Sequence, residues 1–170
     1  MISEYMMKPV GENHTAGADE FHPPPLFERP GVKTNGRVLV VDDQESLRTL
    51  FLAILSNMGY QGIAFGNSGE ALNHFRKESF DLVLTDLEMP GMDGLTLAQS
   101  IKDRSPETPV ILVTGRKVED FQQKMRPGCI DSLIPKPFRL EGFKKTIKGM
   151  LKNKSRIANT PEPVASHGSL

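Results

Sequence analysis

The chain predicts an α/β protein: a doubly wound, parallel five-stranded sheet with helices on both faces. Three observations carry that prediction. Short, nearly continuous apolar runs recur along the chain, as strands buried on both faces require. Each is followed by apolar residues at helical spacing. The connections are short, and right-handed crossovers then place helices on both sides of the sheet.

Taken in order, "RVLVVDD" (37–43) is the first strand. Leu47, Leu50, Phe51, Ile54, Leu55 and Met58 follow at helical spacing, and Gly59 suits the stop. "YQGIAF" (60–65) is a second strand, after which Ser68 is placed to cap a helix turning Ala71, Leu72 and Phe75 inward. "FDLVLTD" is the third strand; Leu95, Ala98 and Ile101 mark the next helix, stopped near Pro106. "PVILVT" (109–114) is the fourth strand. A weaker helix is expected around 118–125, then a short strand near 130–134. Leu140, Phe143, Ile147 and Met150 give the last amphipathic helix.

The length of 170 residues suits one domain with extensions. Residues 1–35 hold "FHPPPLFERPGVKTNG", whose prolines exclude a central strand or helix interior, so a disordered leader with polyproline II character is expected. Either a partner-docking motif or an inert segment fits it. The folded domain is expected over 36–152, with a disordered tail over 153–170. Lys plus Arg and Asp plus Glu both total 21, so no global charge recruits nucleic acid or a membrane surface. The single Cys129 excludes an intramolecular disulfide and fits a reducing compartment. With no long apolar span or secretory pattern, the expectation is a soluble, cytoplasmic protein. The four His residues show no metal spacing, and surface positions are expected for them.

Ligands of such sheets sit at the carboxyl ends of the strands, at the switch in strand order. There the sequence places Asp42 and Asp43 after the first strand, Asp86 on the third, Thr114 on the fourth, and Lys136-Pro137 after the fifth. Like charges ~4 Å apart repel by about 4 kcal/mol at an effective dielectric of 20. Three converging carboxylates therefore need a proton or a cation. Oxygen ligands favour Mg²⁺. With the lysine and the threonine hydroxyl opposite, the set suits a dianionic phosphoryl group, one carboxylate being free to attack it.

The pieces "VLVVDD", "LVLTDLEMPGMDG", "VILVTG" and "IPKPF" resemble, in order and spacing, the receiver domain of bacterial two-component response regulators, over about residues 36–151. The resemblance implies the flavodoxin-like fold and assigns each residue a role. Asp86 is the phosphoacceptor. Asp43 binds Mg²⁺ directly, Asp42 mainly through water, and the Glu88 backbone carbonyl completes the protein's ligands. Thr114 meets the phosphoryl oxygens and Lys136 pairs with their charge, aimed by an often cis bond to Pro137. The implied partners are a sensor histidine kinase or phosphotransfer protein and an unidentified downstream protein. That protein would dock on the fourth helix, fifth strand and fifth helix, or receive the phosphoryl group. Nucleic acid and membrane are not expected partners. Catalysis is limited to the chain's own phosphorylation and dephosphorylation.

Each residue has a plainer reading. Asp42 or Asp43 would cap the first helix, Thr114 would be an ordinary strand residue, and Lys136 a surface lysine before a proline. The sequence also departs from the family. Leu133 stands where an aromatic switch residue is usual, "RPGC" replaces a common Ala-Gly-Ala-like turn, and Gly115 replaces a small Ala. By the same resemblance, Glu88 and Arg116 flank the path of the hydrolytic water, and their opposite charges suit an ion pair across the pocket mouth. Two alternatives stay open: a pseudo-receiver scaffold that is never phosphorylated, and an aspartate-nucleophile phosphatase. The phosphatase needs a second Asp two residues after its nucleophile, where this chain has Glu88, and the flanking motif does not match.

Overall fold

The computed structural model describes residues 34–158. Its strands are β1 (Arg37–Val41), β2 (Gln61–Phe65), β3 (Leu82–Asp86), β4 (Val110–Thr114) and β5 (Ser132–Pro135). Its α-helices are α1 (Glu45–Asn57), α2 (Ser68–Phe75), α3 (Gly94–Arg104) and α4 (Leu140–Ala158). The strands form one five-stranded sheet in the order β2-β1-β3-β4-β5, with every pairing parallel. Strand order therefore reverses between β1 and β3, and a crevice opens beyond their carboxyl ends.

The period-2 alternation of the strands divides the core into two layers. Val38 and Val40 of β1 join Phe51, Ile54 and Leu55 of α1 and Phe143, Ile147 and Leu151 of α4 on one face. Leu39 and Val41 join Ala71, Leu72 and Phe75 of α2 and Leu97, Ala98 and Ile101 of α3 on the other. Both sides of the central strands β1, β3 and β4 are thus removed from water, which is why their runs read as continuously apolar. Phe143 stacks on Phe51 and on Phe138, each at 5.1 Å between ring centroids, and so ties α4 to α1.

Local signals place most boundaries. Met58 caps α1 and Gly59 follows at φ +81°, the left-handed turn that glycine adopts without strain. The cap of α2 differs from expectation. It is Asn67, whose side chain accepts from the N–H groups of Gly69 and Glu70, at 2.7 and 3.1 Å. Ser68 is buried instead, its hydroxyl donating to the Met92 carbonyl at 2.8 Å and so linking α2 to the β3–α3 loop. The N-cap of α1 is Gln44, with no side-chain capping bond, so neither Asp42 nor Asp43 is spent as its cap.

The helix expected around 118–125 does not form. Two 3-10 turns, Val118–Asp120 and Gln122–Lys124, replace it, leaving four α-helices among the described residues. The segment has no side-chain cap at its start. Of its apolar residues only Phe121 is buried, and Val118 is exposed, so no apolar stripe stabilises a continuous helix. Phe121 packs with Leu87, Leu95 and Leu112, and Leu133 lies partly buried against that cluster. The surface expected to present a fourth and a fifth helix beside the fifth strand therefore presents these turns, β5 and α4.

At the far end α4 continues to Ala158, past the domain end expected at Lys152. The leader up to residue 33 and the tail beyond 158 lie outside the described residues. Among the described residues, no helix is long and apolar enough to cross a membrane. His74 differs from its expected surface position: it is half-buried between the rings of Phe65 and Phe80.

Candidate functional site

β1 and β3 are adjacent, so Asp42, just after β1, and Asp86, the last residue of β3, come to the same edge of the sheet. Asp42 is 1% exposed and Asp86 6%. Burying carboxylates is unfavourable unless donors meet them. The donors come from three directions. The Gln44 N–H reaches Asp42 Oδ1 at 2.9 Å, and the Glu88 N–H reaches Asp86 Oδ2 at 2.7 Å. The Lys136 ammonium then bridges the two remaining oxygens, at 3.1 Å from Asp42 Oδ2 and 2.7 Å from Asp86 Oδ1. Lys136 is carried there by the end of β5, where its N–H donates to the Thr114 carbonyl at 2.7 Å, and its bond to Pro137 is cis.

Charge balance follows from this packing. Burial, the largest influence, pushes the Asp42 carboxyl above the ordinary carboxylate range, against the pull of Gln44 and Lys136. For Lys136 burial acts to lower the pKa, but hydrogen bonds to Asp86 and Asp42 offset it and the net direction is upward. Lys136 is thus held as a cation between the two carboxyl groups.

Asp43 sits differently. It is exposed, and its carboxylate makes no hydrogen bond or ion pair among the described residues. The sequence leads one to expect three converging carboxylates. The structure brings two together on a lysine and leaves the third at the rim. Among the described residues no three acidic, His or Cys side chains stand close enough to hold a metal ion. The physical reason is that the ammonium already answers the repulsion between Asp42 and Asp86. The donor chemistry nevertheless fits a hard divalent cation. Every candidate ligand is oxygen, and each carboxylate oxygen of Asp42 and Asp86 has a lone pair beyond the single bond shown for it. Asp43, exposed at the rim, joins these ligands only by turning inward.

Thr114 is buried at the end of β4, one register position beyond the pairing of Asp86 with Val113. Its Oγ1 accepts the Arg116 N–H at 3.0 Å and so keeps its own O–H to donate. At the mouth, Arg116 Nη1 stands 3.3 Å from Glu88 Oε1, so the ion pair suggested by their charges forms. Asp120 extends it, 3.8 Å from Arg116 Nε.

Two residues escaped the sequence reading. Gly94, the first residue of α3, packs against the Asp86 backbone. A Cβ built there would lie 1.9 Å from the Asp86 carbonyl oxygen. The signal was the Asp-Gly pair entering a helix, with Asp93 as the cap accepting from the Thr96 N–H at 2.8 Å. The other is Arg48 in the first turns of α1. A helical side chain leans toward its N-terminus, and so toward the strand end just before it.

Fold and pocket together define a class: a flavodoxin-like α/β module whose switch point holds two buried carboxylates bridged by a lysine. Within that class, the chain belongs to the family of response regulator receiver domains, which residues 38–148 match. It is 38% identical over 132 residues to transcriptional regulatory protein ZraR of Escherichia coli (strain K12), covering 76% of this chain and 30% of that protein. It is 36% identical over 110 residues to sensor histidine kinase RcsC of Salmonella typhi, covering 65% of this chain and 12% of that one. The chain thus spans less than a third of either relative's length. Among solved structures, response regulator TrrA from Thermotoga maritima, in complex with Mg(2+)-BeF, superposes with a TM-score of 0.62 at 32% identity. That match covers 67% of this chain and 97% of that one. A CheY-like receiver domain protein from Methanospirillum hungatei JF-1 gives 0.65 at 27% identity, covering 71% and 97%.

Proposed function

We propose that Asp86 accepts a phosphoryl group from a phosphohistidine on a sensor histidine kinase or phosphotransfer protein. Its phosphorylation then changes the docking of a downstream protein, or the group passes onward. One observation carries the reading: Lys136 holds Asp42 and Asp86 together, at 3.1 and 2.7 Å, in a pocket at the switch point. The reading places the protein in the cytoplasm, with neither nucleic acid nor membrane as partner. The chain catalyses only its own modification.

In the reaction an Asp86 oxygen attacks phosphorus. The O–P bond forms as the P–N bond to the donor imidazole breaks, and the imidazole leaves with the bonding pair and takes up a proton. Lys136 pairs with the charge on the transferred group, and Thr114 donates its hydroxyl to one of its oxygens. Asp42 holds Lys136 from the far side. Asp43, Asp42, Asp86 and the Glu88 carbonyl would hold Mg²⁺, which would supply charge neutralisation at the phosphoryl oxygens.

The exposed position of Asp43 favours a second reading, a pseudo-receiver that binds a partner without phosphorylation. Incubation with acetyl phosphate and Mg²⁺, read by intact mass, separates the two. The first reading expects one hydroxylamine-labile phosphoryl group on the wild type and none on Asp86→Asn. An unmodified wild type, or equal uptake by the variant, overturns it.

A further inference from the structure

Arg48 is a half-buried cation that no carboxylate meets in a close contact among the described residues. It is spent on backbone instead. Its Nη1 donates to the Asp42 carbonyl at 2.8 Å and to the Asp43 carbonyl at 2.9 Å. Those carbonyls belong to the two peptide planes that flank the Asp43 Cα. One nitrogen therefore fastens both planes and with them the direction in which the Asp43 side chain leaves the chain.

The neighbouring residues do not need this help. Asp42 has its carboxylate held by Gln44 and Lys136, whereas Asp43 has no side-chain partner among the described residues. β1 also ends at Val41, so the last sheet pairings lie before both carbonyls. Gly66, just beyond β2, provides the seat for the guanidinium. A Cβ there would come within 2.9 Å of Arg48 Nη1 and 3.3 Å of its Cζ.

We propose that Arg48 is the positioning residue for Asp43, setting the backbone of the β1–α1 loop so that this carboxylate is presented to a divalent cation. The proposal rests on the reading that the pocket takes Mg²⁺ and a phosphoryl group. Residues that orient a ligand without touching the metal typically change affinity by about 10- to 100-fold.

The experiment titrates the unphosphorylated full chain with Mg²⁺ alone, for the wild type, Arg48→Ala, Arg48→Lys and Gly66→Ala. Thermal unfolding is followed in chelator. Arg48→Ala should weaken Mg²⁺ binding by about tenfold with little change in the metal-free melting curve. Arg48→Lys should recover much of the loss, because an ammonium has donors enough for both carbonyls. Gly66→Ala should weaken binding in the same direction, since its methyl group takes the guanidinium's place while every acidic residue remains. A folded Arg48→Ala protein with wild-type Mg²⁺ affinity overturns the proposal. Should that variant fail to fold, wild-type affinity in both Arg48→Lys and Gly66→Ala overturns it equally. A wild type that binds neither Mg²⁺ nor a phosphoryl group overturns the underlying reading as well. A wild type that takes both, beside an unaffected Arg48→Ala, overturns only the role of Arg48.

Discussion

Gly94 lies directly against Asp86: a Cβ on Gly94 would stand 1.9 Å from the Asp86 carbonyl oxygen and 2.9 Å from its carbonyl carbon. The start of α3 and the end of β3 are therefore in backbone contact, and no rotamer relieves that overlap. Gly94→Ala must shift the helix or the strand. Overpacking of this kind costs roughly 1–3 kcal/mol, occasionally more, and here the upper end is expected. Urea denaturation should show the loss, and acetyl phosphate labelling should slow because Asp86 moves with its backbone.

Asp86→Asn should leave the metal-free fold intact and raise its stability slightly, by less than about 1 kcal/mol. The wild-type pocket sets two buried carboxylates against one ammonium. The variant keeps the Lys136–Asp42 pair and removes the surplus charge, so no ion is left unpartnered. A loss of several kcal/mol in chelator would contradict this account of the pocket.

Asp43→Ala should lower Mg²⁺ affinity far more than Asp42→Ala. Asp42 is buried and both of its oxygens already accept hydrogen bonds. Asp43 is exposed and uncommitted among the described residues, which suits direct ligation by an ion that keeps several waters. Equal losses in paired titrations would refute the division of roles.

The pair between Glu88 and Arg116 spans the mouth but is open to water, with side chains 64% and 48% exposed. Such pairs contribute about 0–1 kcal/mol, so its removal should change the dephosphorylation rate by no more than about fivefold. Rates for Glu88→Ala, Arg116→Ala and the double variant, at low and high salt, measure the coupling. The pair hinders attack by water if the single effects are not additive and shrink with salt. Asp120, 3.8 Å from Arg116, should retain part of the effect in Glu88→Ala.

Cys129 has no exposed surface, and burial pushes its thiol above the ordinary value. As pH climbs past about 8.5, the unfolded chain loses this proton first. The folded state then binds more protons than the unfolded state, and stability falls with rising pH. The wild type should therefore lose stability relative to Cys129→Ala between about pH 8.5 and the raised folded value. Iodoacetamide should label Cys129 in the unfolded chain well before the native one.

What the sequence by itself determined is what depends on local pattern. Runs such as "VLVV" and "VILV" are buried on both faces, so hydropathy alone marks them as central strands, and the helical stripe from Leu47 to Met58 marks α1. Motif order also placed Asp42, Asp86, Thr114 and Lys136 at one edge of the sheet, because parallel strands all deliver their last residues to the same side. Where the chain's local signal was weak, tertiary contacts decided. Phe121 entered the core with Met125 only partly buried against it, and the segment around them stayed as 3-10 turns. The bridge from Lys136 to Asp42 joins residues 94 positions apart, and it was this contact that met the repulsion between two carboxylates and left Asp43 at the rim. Such a balance is set by distances across strands, which periodicity does not encode. Likewise the close approach of Gly94 to Asp86, and of Gly66 to Arg48, exists only once separate elements pack together.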